Sequence, residues 1–481
     1  MKQKKVIALL ATLLTFQIYQ SYCNTDKQEI KFTTLFKQAR QLAKKGQTKK
    51  AIALYKQLLK TRPENKFLRF ALLATQLDNK QYVEEDMCRD IIDNCKKILE
   101  MDPNEYRGHF FWAVALTHLG EKEKAIQQYI KALKLNKKAS PVWHNTALLL
   151  RQKELVNSSL FFYKKAIDLA PHIESYHFGI AQAYLALGDF KNGWHHMEQG
   201  RRSFLKQLKK RITTPDQITG KTVLVPKSWG YGDEIQFVRY AQKIKEHGGI
   251  VLMHVHKPVA KIIATCKYVD KVTTEPARPH QYDAQIALWS LPHLFDSTEK
   301  TIPKEIPYLY ANPELCSYWN KKLAHDKNFK IGICWSGSGA FKKIKDIPLQ
   351  AFAPLAQIPG ITLYSLQKGR GSEQTKEIDF DIVDFSDEMD KEHGAFMDTA
   401  AIMKNIDLVI TVDTSTAHLA GALGVPVWTY IIFAPDWRWM LKRTDTPWYP
   451  TMKLFRGRKP YDGQYAIQQM KTEIEQMLNQ S

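Results

Sequence analysis

The stretch that decides the fold reads "LVITVDTSTAHLAGALGVPVW" and spans residues 408–428. Apolar and β-branched residues run into Asp413 and three hydroxyl side chains, and a helix of small residues leads to a second apolar run. A strand, a polar turn and a crossover helix are typical of a parallel α/β sheet, in which ligands bind beyond the carboxyl ends of strands. The stretch therefore predicts an α/β domain with a polar site where this strand ends.

The polar turn of this stretch suits an anion. Thr414, Ser415 and Thr416 offer hydroxyls beside the free N–H groups of a helix N-terminus, a combination that most often binds phosphate. A simpler interpretation is that Asp413 and the threonines only cap the helix. His418 is compatible both with packing in the core and with ligand contact.

Short β-rich runs alternate with helix-length segments through the rest of this half. The runs are 221–226, 249–255, 282–288, 330–336, 361–367, 407–412 and 425–431. Such alternation predicts parallel sheets with crossover helices. The Pro-rich stretch 301–319 divides the region, so we expect two Rossmann-like halves, 221–315 and 328–480, with a cleft between them.

A second strand end carries unusual residues in "VLVPKSWGYGDEIQFVRYAQKI", residues 223–244. Glycines here, Gly232 among them, allow a tight turn and a close ligand approach, and Asp233 opens the following helix. A carboxylate at this position is either an ordinary first-turn residue or a general base that faces the cleft.

The first part of the chain has an internal period. Gly120, Glu154 and Gly188 are 34 residues apart, with small residues and tyrosines at fixed offsets from them. This pattern resembles the tetratricopeptide repeat and predicts an α-solenoid over 32–207. Its units are 32–65, 66–105 (degenerate, with a six-residue insertion), 106–139, 140–173 and 174–207. Such arrays usually bind a peptide or protein, although this one could also be a scaffold that only packs on the next domain.

The 481-residue chain has a net charge of +21, and most of the excess lies in residues 1–212. This suits an acidic partner or an anionic membrane surface, or it reflects only a lysine-rich helical surface. No nucleic-acid-binding motif accompanies the charge, so we expect no nucleic-acid partner. The six cysteines form no C-x-x-C pair and indicate neither a zinc site nor a disulfide framework.

The N-terminal 23 residues read as a targeting segment. Lysines precede a largely apolar stretch from Val6 to Ile18, which is short for a membrane span and typical of a signal peptide. We expect 1–23 to be a signal peptide or a signal anchor, and the protein to be exported or membrane-anchored. A cytoplasmic location is the alternative.

The α/β half resembles the glycosyltransferase family 9, or heptosyltransferase-like, proteins, in the branch that carries N-terminal tetratricopeptide repeats. The matching pieces include 232–241, 331–338, 364–369, 396–414 and 435–456, and they occur in order. The resemblance implies a GT-B fold of two Rossmann-like domains. It also implies that the acceptor binds the first domain, that the nucleotide-sugar donor binds the second, and that no metal or cofactor is needed. The D-x-D-like "DFD" at 379–381 is a short match that occurs often by chance.

The resemblance also implies roles for individual residues. Asp233 maps to the catalytic base. The donor phosphates map to Asp413, Thr414, Ser415, Thr416 and His418, with Lys342, Lys343 and Lys345 as basic contacts. Apart from the resemblance, Gly232, Gln236, Trp437 and Arg438 are candidates for substrate contact, although a packed lid or domain-closing tail is the favoured interpretation of the aromatic segment that holds Trp437 and Arg438.

The expected function is transfer of a sugar from a nucleotide-sugar to a protein, peptide or glycan held near the repeat groove. Two departures favour a non-catalytic repeat scaffold as the alternative. Ser415 stands where the family often has glycine, and Lys345-Asp346 stands where repeat-bearing relatives often have Arg-Ser. Protein O-GlcNAc transferases join the same two architectures, but their "HP"-containing catalytic signature is missing after the first repeats.

Overall fold

The computed structural model describes residues 27–77, 83–337 and 342–480. The chain divides into two compact units between Gly179 and Ile180. The predicted targeting segment 1–23 lies outside the described residues and stays a prediction. Within the described ranges, no helix is both long and apolar enough to cross a bilayer.

Paired helices make up the first unit. They are α1 (Lys27–Lys44) with α2 (Thr48–Thr61), α3 (Lys66–Leu77) with α4 (Glu85–Met101), α5 (Tyr106–His118) with α6 (Lys122–Leu135), and α7 (Ser140–Gln152) with α8 (Val156–Leu169). Helix α9 (Glu174–Ala186) spans the division, and α10 (Phe190–Gln199) and the short α11 (Arg202–Leu205) follow it.

The repeated residues of the sequence lie at the contacts within these pairs. Ala51, Tyr55, Ala125 and Tyr129 are almost fully buried, because small residues let helices approach closely and each tyrosine fills the remaining space. The glycine column lies in the turn between paired helices, where the backbone is left-handed: Gly120 has φ 78°.

The second unit contains two parallel sheets. The first has β1 (Thr222–Val225), β2 (Ile250–His254), β3 (Lys271–Thr273) and β4 (Ala284–Gln285) in the order β3-β2-β1-β4. Its helices are α12 (Tyr231–Phe237), α13 (Ala241–Glu246), α14 (Ala260–Ile263) and α15 (Leu291–Leu294).

The second sheet has six strands in the order β10-β9-β8-β5-β6-β7, all parallel. They are β5 (Phe329–Cys334), β6 (Ile361–Ser365), β7 (Val383–Asp384), β8 (Leu408–Val412), β9 (Val427–Ile431) and β10 (Met452–Arg456). Its helices are α16 (Pro313–Leu323), α17 (Lys342–Lys345), α18 (Ala353–Ala356), α19 (Met397–Met403), α20 (Ser415–Ala422) and α21 (Gly463–Leu478). Strand β8 is buried along its whole length, as its run of apolar and β-branched residues predicts for a central parallel strand.

The segment between the helices and the first sheet is part of that sheet's edge. Arg211 pairs with Gln285 in β4, and the backbone N–H of Ile212 donates to the carbonyl of Gln285 at 2.9 Å. A short 3₁₀ helix, Pro215–Ile218, then leads into β1. The segment that leads from the helices to β1 is therefore anchored to the sheet.

The expected fold class is confirmed. A helical repeat array of the tetratricopeptide type precedes a GT-B-like pair of Rossmann-like sheets. The domain limits 32–207, 221–315 and 328–480 remain predictions, and the structural division falls inside helix α9.

Candidate functional site

The two strand-end motifs of the sequence meet in the second unit. Helix α12 follows β1 of the first sheet, helix α20 follows β8 of the second, and the two helices pack together. A methyl group built on Gly232 would lie 2.8 Å from Cδ2 of His418. Each sheet therefore contributes the carboxyl end of one strand to a common site.

His418 lies inside this contact. Its ring is 5% exposed, stacks on Trp439 with centroids 5.4 Å apart, and shares a 2.9 Å hydrogen bond between Nδ1 and the Tyr449 hydroxyl. Burial, with the positive charge of Arg438 nearby, holds the pKa of His418 well below its usual value. The imidazole is therefore neutral at physiological pH.

The two carboxylate oxygens of Asp233 have different hydrogen-bond partners. Oδ1 accepts a 2.6 Å hydrogen bond from Nη2 of Arg438, whereas Oδ2 accepts a longer hydrogen bond, of 3.4 Å, from the Ser228 hydroxyl. Burial raises the pKa of Asp233, and the neighbouring Arg438 opposes that rise without cancelling it. The carboxylate thus has one firmly held oxygen and one weakly engaged oxygen.

Arg438 connects the two halves of the α/β unit. Besides Asp233, its guanidinium donates to Asp436 Oδ1 at 2.9 Å and to Gln236 Oε1 at 2.5 Å. The side chain is nearly buried, and the Gln236 residue is completely so. Burial disfavours the charge of Arg438, but Asp436 and Asp233 outweigh this effect and raise its pKa.

Asp413 lies at the end of β8 and pairs with the Lys345 ammonium from helix α17. Burial lowers the pKa of Lys345, but Asp413 and then Asp436 outweigh this effect and leave it above the usual value. Asp413 also acts electrostatically on Arg438. Alternating charges thus run from Asp233 through Arg438 and Asp436 to Lys345 and Asp413.

The hydroxyl residues after Asp413 begin helix α20. Thr414 is the N-cap, and its side chain accepts from the backbone N–H of Thr416 at 3.3 Å. The Thr416 hydroxyl contacts Cys334 Sγ at 3.5 Å, and Ser415 is half-buried. Capping therefore accounts for Thr414. The side chains of Lys342 and Lys343 lie outside the described part of the structure.

The aromatic segment behind this turn is packed in the interior. Trp437, Trp439 and Trp448 are each at most 3% exposed. Trp437 meets Trp194 of helix α10 edge-on, with centroids 5.3 Å apart. The tryptophans therefore form the wall of the site.

The sequence analysis assigned no role to three residues near Asp233, which are Arg201, Trp229 and Trp289. Arg201 is 8% exposed and lies between two indoles, 4.3 Å from the ring centroid of Trp229 and 4.2 Å from that of Trp289. The Trp289 indole N–H donates to the Ser228 hydroxyl at 2.9 Å. Arg201 lies in a basic run just after helix α10, and such a run usually faces solvent. Its spacing from the buried Trp194 of that helix is the sequence signal that could have indicated an inward position.

The D-x-D-like segment lies elsewhere in the second unit. Asp379 accepts a 2.6 Å hydrogen bond from Gln350, and both Asp379 and Asp381 line a surface depression that shares no residue with the site described above. In the described ranges, no group of three or more histidine, cysteine, aspartate and glutamate side chains is arranged to hold a metal ion.

Comparison with known proteins finds a match to a protein family and a match to a curated relative. Residues 107–138 match the tetratricopeptide repeat, so the chain contains this repeat. The protein FlbA of Caulobacter vibrioides is 23% identical over 429 residues, an alignment that covers 73% of this chain and 70% of FlbA.

Among solved structures, the protein MamA is 21% identical, with a TM-score of 0.30, over 37% of this chain and 93% of MamA. A glycosyl transferase family 9 protein from Veillonella parvula is 10% identical, with a TM-score of 0.38, over 50% of this chain and 87% of that one. Likenesses this weak decide nothing about activity.

Proposed function

We propose that the protein is a glycosyltransferase that moves a sugar from a nucleotide-sugar donor to an acceptor hydroxyl. The observation that carries this proposal is the meeting of two strand ends, with Asp233 on one side and the Asp413–His418 turn on the other. Ligands of parallel α/β sheets bind at such ends, and here two sheets supply complementary chemistry to one place.

Asp233 is the proposed general base. Arg438 fixes Oδ1, which leaves Oδ2 to accept the proton of the acceptor hydroxyl. As that proton moves to Oδ2, the acceptor oxygen bonds to the anomeric carbon of the donor. The bond from that carbon to the diphosphate oxygen breaks, and the diphosphate leaves with the electron pair.

The turn from Asp413 to His418 is the proposed diphosphate site. Helix α20 begins in this turn, so its first N–H groups and the hydroxyls of Ser415 and Thr416 are the proposed donors, and the Thr416 hydroxyl would have to leave its contact with Cys334 Sγ. Lys345 is held there by Asp413 and supplies the positive charge that a leaving diphosphate requires. The neutral ring of His418 contributes a hydrogen-bonding group without adding charge.

The repeat array is the proposed binding surface for the acceptor or its carrier, because arrays of this type present an extended concave groove. The partner is then a protein, a peptide or a glycan-bearing chain. A targeting role for residues 1–23, with export or membrane anchoring, belongs to the same proposal. The high positive charge suits an anionic membrane surface.

One observation favours a second candidate, a repeat scaffold without catalysis. Both proposed acids are already paired, Asp233 with Arg438 and Asp413 with Lys345. A catalytic site must open at least the second pair to admit a diphosphate, whereas a scaffold has no need to open either.

A thermal-shift screen distinguishes these candidates. The full chain is melted with uridine, guanosine, adenosine and cytidine nucleotides and their sugar conjugates. A ligand at 100 times its Kd stabilises the native state by about 2.7 kcal/mol. We expect at least one nucleotide-sugar to raise the melting temperature, and Asp413→Asn to remove most of that rise. Asp381→Asn is the control, because it alters an exposed aspartate outside the site.

Turnover is then measured with the stabilising donor. Asp233→Asn is expected to keep the donor-induced shift and to lose product formation by a factor of about 10²–10⁴, the usual contribution of a general base. If no nucleotide stabilises the wild-type chain, the scaffold is correct and the transferase proposal is rejected.

A further inference from the structure

Trp229 is an unusually exposed aromatic residue for its position. Its side chain is 72% exposed, although the loop that carries it belongs to the strand-end site. Most aromatic residues around this site are buried, Trp289 and Trp437 among them. An exposed indole beside a candidate site offers a flat apolar face to a ligand.

The loop that carries Trp229 lies beside the weakly engaged oxygen of Asp233. Ser228, on one side of Trp229, has its hydroxyl 3.4 Å from Oδ2. Gly230, on the other side, has no side chain, and a methyl group there would lie 3.6 Å from the same oxygen. The indole therefore projects from the loop that lies beside the proposed base.

Arg201 holds this indole in place. Its guanidinium lies 4.3 Å from the Trp229 ring centroid and 4.2 Å from that of Trp289, so the cation is sandwiched between the two rings. Trp289 is itself fixed by its 2.9 Å hydrogen bond to Ser228. One face of Trp229 is thus covered by a cation and its orientation is set before a ligand arrives, which reduces the entropy lost on binding.

The shape and chemistry of this surface select a ring-shaped partner. An amphipathic helix needs several apolar anchors at i, i+3, i+4 and i+7, and a single indole offers only one. The C–H groups on one face of a pyranose match a flat indole, while its hydroxyls point outward to polar groups and water. The carboxylate of Asp233 contacts both residues that flank Trp229, since its Oδ2 lies 3.4 Å from the Ser228 hydroxyl and 3.6 Å from a methyl group built on Gly230.

We propose that Trp229, backed by Arg201, is the platform on which a pyranose ring of a saccharide acceptor stacks, with one of its hydroxyls directed at Asp233 Oδ2. This inference rests on the proposed glycosyltransferase function and names its acceptor class. Trp229 provides apolar contact, Arg201 is a positioning residue, and the aspartate receives the proton.

Saturation-transfer difference NMR on the full chain tests this platform without requiring turnover. The probes are methyl glycosides of hexoses, N-acetylhexosamines and heptoses. The wild-type chain is expected to saturate the ring C–H protons of at least one of them. Trp229→Ala is expected to weaken that binding about tenfold, which corresponds to about 1.4 kcal/mol. Trp229→Phe keeps an aromatic face and is expected to retain most of the signal.

Tyr461→Ala is the matched control, because Tyr461 is 71% exposed but belongs to a different loop. The platform is rejected if Trp229→Ala keeps the wild-type signal, if Tyr461→Ala loses as much, or if no glycoside binds. A chain that is stabilised by a nucleotide-sugar but shows one of these results retains the transferase function and loses only the platform. A chain that binds neither nucleotide nor glycoside loses both.

Discussion

Gly232 and His418 lie on helices that follow strands of different sheets, and a methyl group added to Gly232 would clash with the His418 ring. A methyl group on Gly232 would approach Cδ2 of His418 to 2.8 Å and Nε2 to 3.4 Å. The imidazole has no room to withdraw, because it is stacked on Trp439 and bonded to Tyr449. The junction of the two α/β halves is therefore set by the absence of a side chain at position 232.

Gly232→Ala is expected to destabilise the protein by about 1–3 kcal/mol, the usual cost of overpacking a filled interior. Gly230→Ala is the matched control. Its backbone is extended and its new methyl group would meet nothing closer than 3.6 Å, so it should change stability little. Urea denaturation of both variants measures the difference, and equal midpoints would show that the contact is not tight.

Arg438→Met is expected to cost about 2–4 kcal/mol. It leaves Asp233 and Asp436 without their shared cation, and the cost falls below that of a fully buried pair because the Asp436 side chain is 29% exposed. Adding Asp233→Asn should recover part of the loss, since one of the two stranded charges is then gone. Arg458→Met, which removes an ion pair whose arginine is 64% exposed, serves as control and should cost less than about 1 kcal/mol.

The pH dependence of turnover is expected to report Asp233. The base must be ionised, and burial raises the pKa of Asp233 above its ordinary value of 3.8, so activity should fall on the acid side at a pH above that value. Arg438 opposes this rise. In Arg438→Gln the acid limb of kcat/KM should therefore move to higher pH, and a limb that stayed in place would mean that another group titrates.

His144 in the first unit is expected to weaken the protein in acid. Its ring stacks on Tyr176 at 4.6 Å, and burial, with a smaller effect of Arg151, lowers the pKa of His144 to about 3. Below about pH 6.5, His144 therefore binds a proton in the unfolded chain but stays neutral in the folded chain. Stability is complete above that pH and falls as the pH drops toward 3, by about 2 kcal/mol at pH 5.

His144→Phe keeps the stacked ring and removes the titrating group. Thermal melting at pH 7 and pH 5 should therefore show a smaller loss of stability in this variant than in the wild type. His172→Phe, which replaces an exposed histidine of the same repeat, should leave the wild-type loss unchanged. Equal losses in all three chains would exclude His144 as the cause.

Local patterns in the sequence were sufficient to predict the repeats and the central strands. Alanines and tyrosines recur at fixed spacing because the helices of each pair pack through the same kind of contact. The residues at these positions are buried, as that spacing predicts: Ala51, Tyr55, Ala125 and Tyr129. Strand β8 was predicted because a strand buried on both faces needs a run of apolar and β-branched residues.

The strands that the sequence analysis missed are those that form a strand because of the adjacent strand they pair with. Strand β3 has three residues and β7 has two, too few for any periodicity, and both lie at sheet edges. Strand β10, Met452–Arg456, carries polar residues and follows an aromatic segment, so its sequence resembles a loop. Their backbone partners, not their composition, make them strands.

The site was predicted in part, for a similar physical reason. The motif residues Gly232 and His418 are adjacent, as strand-end placement requires, and their roles remain predictions. The sandwich of Arg201 between Trp229 and Trp289 was missed, because three segments far apart in the chain contribute to it. Local sequence does not encode such a long-range arrangement.

The hydrogen bond between Arg239 and Trp448 affects the order in which parts of the chain can complete their folding during synthesis. This arginine is 1% exposed and donates to the carbonyl of Trp448, which lies 209 residues further along the chain. Until the ribosome has translated that tryptophan, the guanidinium lacks this acceptor, although those at Gln236, Pro303 and Tyr308 are already present. Nascent chains that stop earlier therefore lack one hydrogen bond of a buried arginine, and a segment made near the end of synthesis supplies it.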